Sequence, residues 1–164
     1  MRWLCLLAVL AGPVQAGIVG EGQSPLAAPQ PEALGLIDGL YTGARLVLAG
    51  TEDLAGTVEP GQDVALEVGI MAGEDTAPGD VNLTCEVRFV EPDGSIGKPQ
   101  FKGRCLTTTR EALRSRWTLL PIGMTFRPRV EDPAGVAAVQ VVLRDDQGNK
   151  VTLVPSYDWT GGRK

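Results

Sequence analysis

The stretch Val64–Met71, VALEVGIM, alternates Val64, Leu66, Val68 and Ile70 with Ala65, Glu67, Gly69 and Met71. Period two over eight residues places one set of side chains on a single face, the pattern of a half-buried β-strand. The preceding Glu59-Pro60-Gly61-Gln62 is a turn signal. Working outward, Ala44 to Ala49, Val81 to Val90, Gln100 to Leu106, Val136 to Arg144 and Val151 to Val154 repeat the pattern between turns such as Asp132-Pro133-Ala134-Gly135 and Asp145-Asp146-Gln147-Gly148-Asn149. Leu119 to Phe126 is interrupted by Pro121 and Gly123 and reads as an edge or bulged strand, because proline cannot donate to a ladder. The one helical candidate is 109–116, where Thr108-x-x-Glu111 fits a capping box. About seven strands, with turns every 8 to 15 residues, predict an all-β antiparallel sandwich.

The chain of 164 residues opens with MRWLCLLAVLAGPVQA. One charge at Arg2, an apolar run from Trp3 to Ala11 and a small residue at Ala16 form the three-part layout of a secretory signal peptide. The expected organisation is a signal peptide at 1–16, a flexible Pro/Gly/Ala-rich leader at 17–39 and a β-sandwich domain at 40–164. No later stretch approaches the roughly 20 apolar residues of a spanning helix, so no integral membrane segment is expected. Eleven arginines against four lysines, with abundant Ala, Gly, Val and Leu, suggest a bacterial source and a periplasmic or secreted location.

Removing Cys5 with the signal leaves two cysteines, Cys85 and Cys105, in an oxidising compartment where disulfides persist. They bracket CEVRFVEPDGSIGKPQFKGRC, two alternating runs around a Pro-Asp-Gly turn. Pairing the cysteines directly opposite each other makes facing residue numbers sum to 190 and sets Phe89 against Phe101. Closing tightly at Glu91-Pro92-Asp93-Gly94-Ser95 instead gives a sum of 186 and puts Phe101 opposite Cys85. The two registers exclude each other. The disulfide favours the first, with a wide loop from Pro92 to Lys98. With no C-x-x-C and no histidine in the chain, the pair reads as a structural staple rather than a redox centre or zinc site.

The absence of histidine also removes the commonest general base. Acidic doublets at Glu52-Asp53, Glu74-Asp75, Glu131-Asp132 and Asp145-Asp146 all lie in turns, where such residues are ordinary. No catalytic residue, metal site or cofactor is therefore expected. Of the aromatics Trp117, Phe126, Tyr157 and Trp159, most are expected as core or edge plugs, with a sugar-stacking platform as the other use.

Charge is the more informative feature. The full chain carries 15 basic and 20 acidic residues, a net charge of -5, which argues against nonspecific nucleic-acid binding. Yet between Lys98 and Arg129 eight basic residues accompany a single acid, Glu111. Lys102, Arg104, Arg110, Arg114, Arg116, Arg127 and Arg129 are the candidate partner-binding residues. Arginines suit bidentate contact with carboxylate or phosphate groups. The bland alternative is that this block faces acidic strands and forms internal pairs.

PGQDVALEV at 60–68 and DPAGVAAVQVVLRDDQGNKVTL at 132–153 resemble the strand-turn punctuation of immunoglobulin-like sandwich domains in bacterial exported proteins. The resemblance implies architecture, with adhesion, scaffolding or partner recognition as common uses, and carries over no catalytic residue. The cysteine spacing departs from the inter-sheet bridge of a true immunoglobulin domain. The expected function is a noncatalytic binding or scaffolding module for an envelope or extracellular protein with anionic groups. The alternative is a carboxylate-dependent hydrolase or a carbohydrate-binding protein.

Overall fold

A computed structural model describes residues 28–161. The expected signal peptide and residues 17–27 of the expected leader lie outside the described residues. Two sheets enclose one core. The first contains β1 (Glu32–Ile37), β2 (Leu40–Leu48), β4 (Val64–Ala72), β7 (Thr118–Leu119) and β8 (Met124–Phe126). The second contains β3 (Thr57–Val58), β5 (Asp80–Val90), β6 (Ile96–Thr109), β9 (Gly135–Asp145), β10 (Lys150–Leu153) and β11 (Ser156–Trp159). All pairings are antiparallel except β3 with β11. Among the described residues the expected seven strands become eleven: Pro121 and Gly123 separate β7 from β8, Pro155 separates β10 from β11, and β1 and β3 form where no strand is expected.

The decisive stretch behaves as its alternation requires. Val64, Leu66, Val68 and Ile70 are all buried, facing Val139, Val141, Leu143 and other second-sheet residues in a common core. Burying an aliphatic side chain of this size is worth about 1.5–3 kcal/mol. Gly69 is also buried, although it points to the outer face, because the Trp117 ring covers it.

The expected leader is too long by one strand. Residues 32–37 form β1, paired with β2 from Glu32↔Arg45 to Ile37↔Leu40. The turn between them is Asp38-Gly39, both at positive φ, the two-residue turn whose twist matches a hairpin. Leu34, Leu36 and Tyr41 around this dipeptide supplied the missed hairpin signal. The segment just before β1 reaches the second sheet: Gln30 N–H donates to the Ser156 hydroxyl at 2.8 Å, and Ser156 N–H donates to the Gln30 carbonyl at 2.7 Å.

The cysteine hairpin resolves its conflict of registers by bending. At the turn Val90 faces Ile96, the tight register, with Glu91 N–H donating to the Ser95 carbonyl at 2.9 Å. Irregularities at Arg88/Val90, Val87/Arg88 and Leu83/Thr84 then shift the pairing until Leu83 faces Leu106. The two demands therefore do not exclude each other, because β-bulges absorb one residue at a time. The expected 190 register and its Phe89–Phe101 pair do not form: Phe101 faces Val87. Phe89 instead meets Phe126 of the other sheet, ring centroids 4.9 Å apart in an edge-on arrangement.

The helical candidate shrinks to one 3-10 turn, Glu111–Leu113. Its N-cap is Arg110 without a side-chain cap, so the capping box at Thr108 is not made. Leu113 is the reason for the turn, since it enters the core.

Candidate partner-binding surface

The sequence block from Lys98 to Arg129 is dispersed by the fold, and most of its charge is used internally. Arg110 pairs with Asp38 and also donates to the Asp38 carbonyl at 2.7 Å, tying the end of β6 to the β1–β2 turn. Arg127 grips both oxygens of Asp63 at 2.7 and 3.0 Å. The guanidinium bond holds the Asp63 carboxyl below the usual aspartate range. Arg129 lies 3.3 Å from Asp132, three residues on. Arg114 donates to the Thr76 carbonyl at 2.8 Å. Lys102 lies 3.5 Å from Glu86. Arg116 is exposed and has no carboxylate partner among the described residues.

Arg104 has a different setting. It faces Thr84 on β5, Thr84 faces Arg144 on β9, and Arg144 faces Lys150 on β10. Antiparallel partners point to the same side of a sheet, so Arg104, Arg144 and Lys150 form one row across four strands, about 14 Å long at the usual strand spacing. All three are exposed, and none takes part in an ion pair among the described residues. The adjacent row contains Lys102, Glu86 and Val142. Glu86 also bonds Arg88, and that bond, with Lys102 behind it, holds the carboxyl below the usual glutamate range. Counting Arg88, five cations thus surround one carboxylate, Glu86, in these rows; Asp80 and Asp158 point to the same side nearer the margins of the sheet, and Asp146 accepts from the Asn82 side chain at 3.5 Å. Arg144 and Lys150 lie far from the block in sequence, and only the pairing of β10, β9, β5 and β6 brings them beside Arg104.

The disulfide supports this face from beneath. Cys85 and Cys105, Cα atoms 5.7 Å apart, are buried between the outward residues Thr84, Glu86 and Arg104. Bridging β5 to edge strand β6 fixes where Lys102 and Arg104 are presented.

The acidic doublets that the ladders and loops contain are largely turn hardware. Asp145 accepts from Gln147 N–H at 3.0 Å, Asn149 N–H at 2.7 Å and the Asn149 side chain at 2.6 Å, closing the β9–β10 hairpin. Carboxylates line several concavities: Glu32 and Glu67 one on the outer face of the first sheet, Asp38, Asp80, Asp145 and Asp146 a small one beside the β1–β2 turn, and Glu91 and Asp132 a third. A pocket of about 270 Å³ at one end of the sandwich is lined by residues including Glu91, Asp132, Phe126, Tyr157 and Trp159. Burial, then Asp132 and Asp93, push the Glu91 carboxyl above the usual glutamate range, and burial raises the Tyr157 phenol. Asp132 is engaged by Arg129, through its backbone N–H at 2.9 Å as well as its guanidinium.

The aromatics divide. Trp159 and Tyr157 are core, and Phe126 is a half-buried bridge between sheets. Trp117 is 49% exposed on the outer face of the first sheet.

No helix among the described residues is long and apolar enough to cross a membrane. No protein-family model matches the chain, and no curated protein matches it. Among solved structures, the chain is similar to Spo0M, a sporulation control protein from Bacillus subtilis, at 15% identity and a TM-score of 0.39. The match covers 72% of this chain and 49% of that one, so the chain spans about half the length of Spo0M.

Proposed function

We propose that this protein is an exported, noncatalytic binding or scaffolding module that recognises an anionic macromolecular partner of the bacterial envelope or its surroundings. The reading keeps an immunoglobulin-like sandwich as the architecture and the periplasm or exterior as the location, on the strength of the signal-like first 16 residues and a buried disulfide. The observation that carries it is the row Arg104, Arg144 and Lys150, three unpaired cations held in register on an open sheet face. Guanidinium groups at such spacing offer bidentate bonds to successive carboxylates, phosphates or sulfates. A flat cationic face also accelerates association with an anionic surface and does so less as salt rises.

Binding of the purified protein to immobilised heparin, used as a polyanion probe, and to an envelope extract tests the reading. Arg104→Glu with Arg144→Glu is expected to weaken binding at least tenfold, whereas Arg127→Glu, which removes a charge already used by Asp63, leaves it nearly unchanged. Binding insensitive to salt, or equally lost in both variants, overturns the proposal. The hydrolase alternative draws on the pocket with Glu91 and Asp132. Its carboxylate pair is weakened by the engagement of Asp132 with Arg129, and a hydrolytic activity abolished by Glu91→Gln would restore it.

A further inference from the structure

The outer face of the first sheet is unusually apolar for a solvent-facing surface. Cross-strand pairing arranges it in three rows: Glu32, Arg45 and Glu67; then Leu34, Gly43, Gly69 and Leu119; then Leu36, Tyr41 and Met71. Trp117 lies over the two glycines. A Cβ on Gly43 would stand 3.4 Å from the six-membered ring, and one on Gly69 would stand 3.2 Å from it. The glycines thus let the indole lie low across β2 and β4 between Leu34 and Leu119. Leu34, Leu36, Tyr41, Trp117 and Leu119 are 49–67% exposed. At roughly 180 Å² per large side chain, they present about 500 Å² of apolar surface. A standard interface buries about 800 Å² per partner, some 56–65% of it apolar. The face therefore supplies what one side of a stable interface needs.

We propose that this face is a two-fold homodimer interface. The argument for a second copy rather than another partner is that the face is complementary to itself. A two-fold axis running along the strands midway between β2 and β4 exchanges β2 with β4 and β1 with β7. It sets Leu34 against Leu119 of the second copy, Tyr41 against its Met71, and the two Trp117 rings against each other. It also sets Arg45 against Glu67 of the second copy, and Glu67 against its Arg45. Within one protomer Arg45 and Glu67 already bond at 2.7 Å, so the dimer closes a square of alternating charge. An interface of this isologous kind is the commonest in soluble oligomers, and two sheet faces pack at about 30° with about 10 Å between them. The cationic face belongs to the other sheet and remains free on both protomers, which makes the dimer a divalent binder.

Sedimentation analysis across a concentration series reads the outcome. The wild-type chain is expected to reach twice the protomer mass at micromolar concentrations. Arg45→Glu alone and Glu67→Arg alone set like charges against each other across the axis and weaken association at least tenfold, while an equimolar mixture of the two variants recovers the dimer. Thermal melting verifies that each variant is folded; Leu119→Glu, at an exposed position, is a second disruptive variant if either is not. A wild-type chain that stays monomeric, or folded variants that remain separate when mixed, overturns the interface.

Discussion

Cys85 and Cys105 are joined although they are not cross-strand partners. Cys85 faces Gly103, and Cys105 is the extra residue at the shift between the Leu83↔Leu106 and Thr84↔Arg104 pairs. The bulge turns its side chain into the core beside Cys85. The staple therefore belongs to the bulged ladder rather than to a regular one.

The bridge spans 20 residues of sequence. Replacing both cysteines by alanine is expected to lower unfolding free energy by about 3 kcal/mol, the chain-entropy value for such a loop. Denaturant unfolding of the variant against the oxidised protein measures it, and equal midpoints would show that the bridge contributes nothing.

The bulged register replaces an intra-hairpin aromatic pair with one between sheets. A double-mutant cycle on Phe89→Ala and Phe126→Ala is expected to return a coupling of about 1 kcal/mol, typical of an edge-on pair. The corresponding cycle on Phe89 and Phe101 should give less than half of that. Reversed magnitudes would restore the regular register.

Gly35 sits where β1 crosses β10. A Cβ there would lie 2.5 Å from a Val151 methyl group and 3.0 Å from one of Leu153. Gly35→Val is therefore expected to cost about 1–3 kcal/mol by overpacking, read from the shift in denaturation midpoint. A neutral result would mean that β1 moves aside freely.

Stability should respond to pH in opposite senses at two carboxylates. Glu91, raised by burial and by Asp132 and Asp93, holds its proton more tightly folded than unfolded. Its contribution is favourable below the unfolded value of about 4.3 and is lost as pH rises through the folded value. Glu91→Gln should thus raise the melting temperature at pH 7 and lose that advantage below about pH 4. Asp63, lowered by Arg127, behaves in reverse: its contribution is present above an unfolded value of about 3.9 and disappears as pH falls through the folded one. Asp63→Asn should lower the melting temperature at neutral pH and match wild type in strong acid. Melting curves from pH 2.5 to 8 check both, and parallel profiles for Glu91→Gln and wild type would refute the first.

By itself, the sequence determined what local chemistry can dictate. Alternation at Val64 to Ile70 set which face of β4 is buried, turn residues set most strand ends, and Cys85 and Cys105 on the two runs of one hairpin specified the disulfide. The Asp38-Gly39 turn was equally legible from its dipeptide and flanking alternation. Tertiary structure alone decided register and charge. A bulge depends on the balance between turn geometry, bridge geometry and core packing over a whole hairpin, so residue spacing cannot place it. The fate of each cation depends on which strand becomes its neighbour: Arg110 and Arg127 met Asp38 and Asp63, while Arg104 met Thr84 and, beyond it, Arg144. A charged block in sequence becomes a charged surface only where strand pairing puts unpaired like charges side by side, and that pairing is a long-range property of the fold.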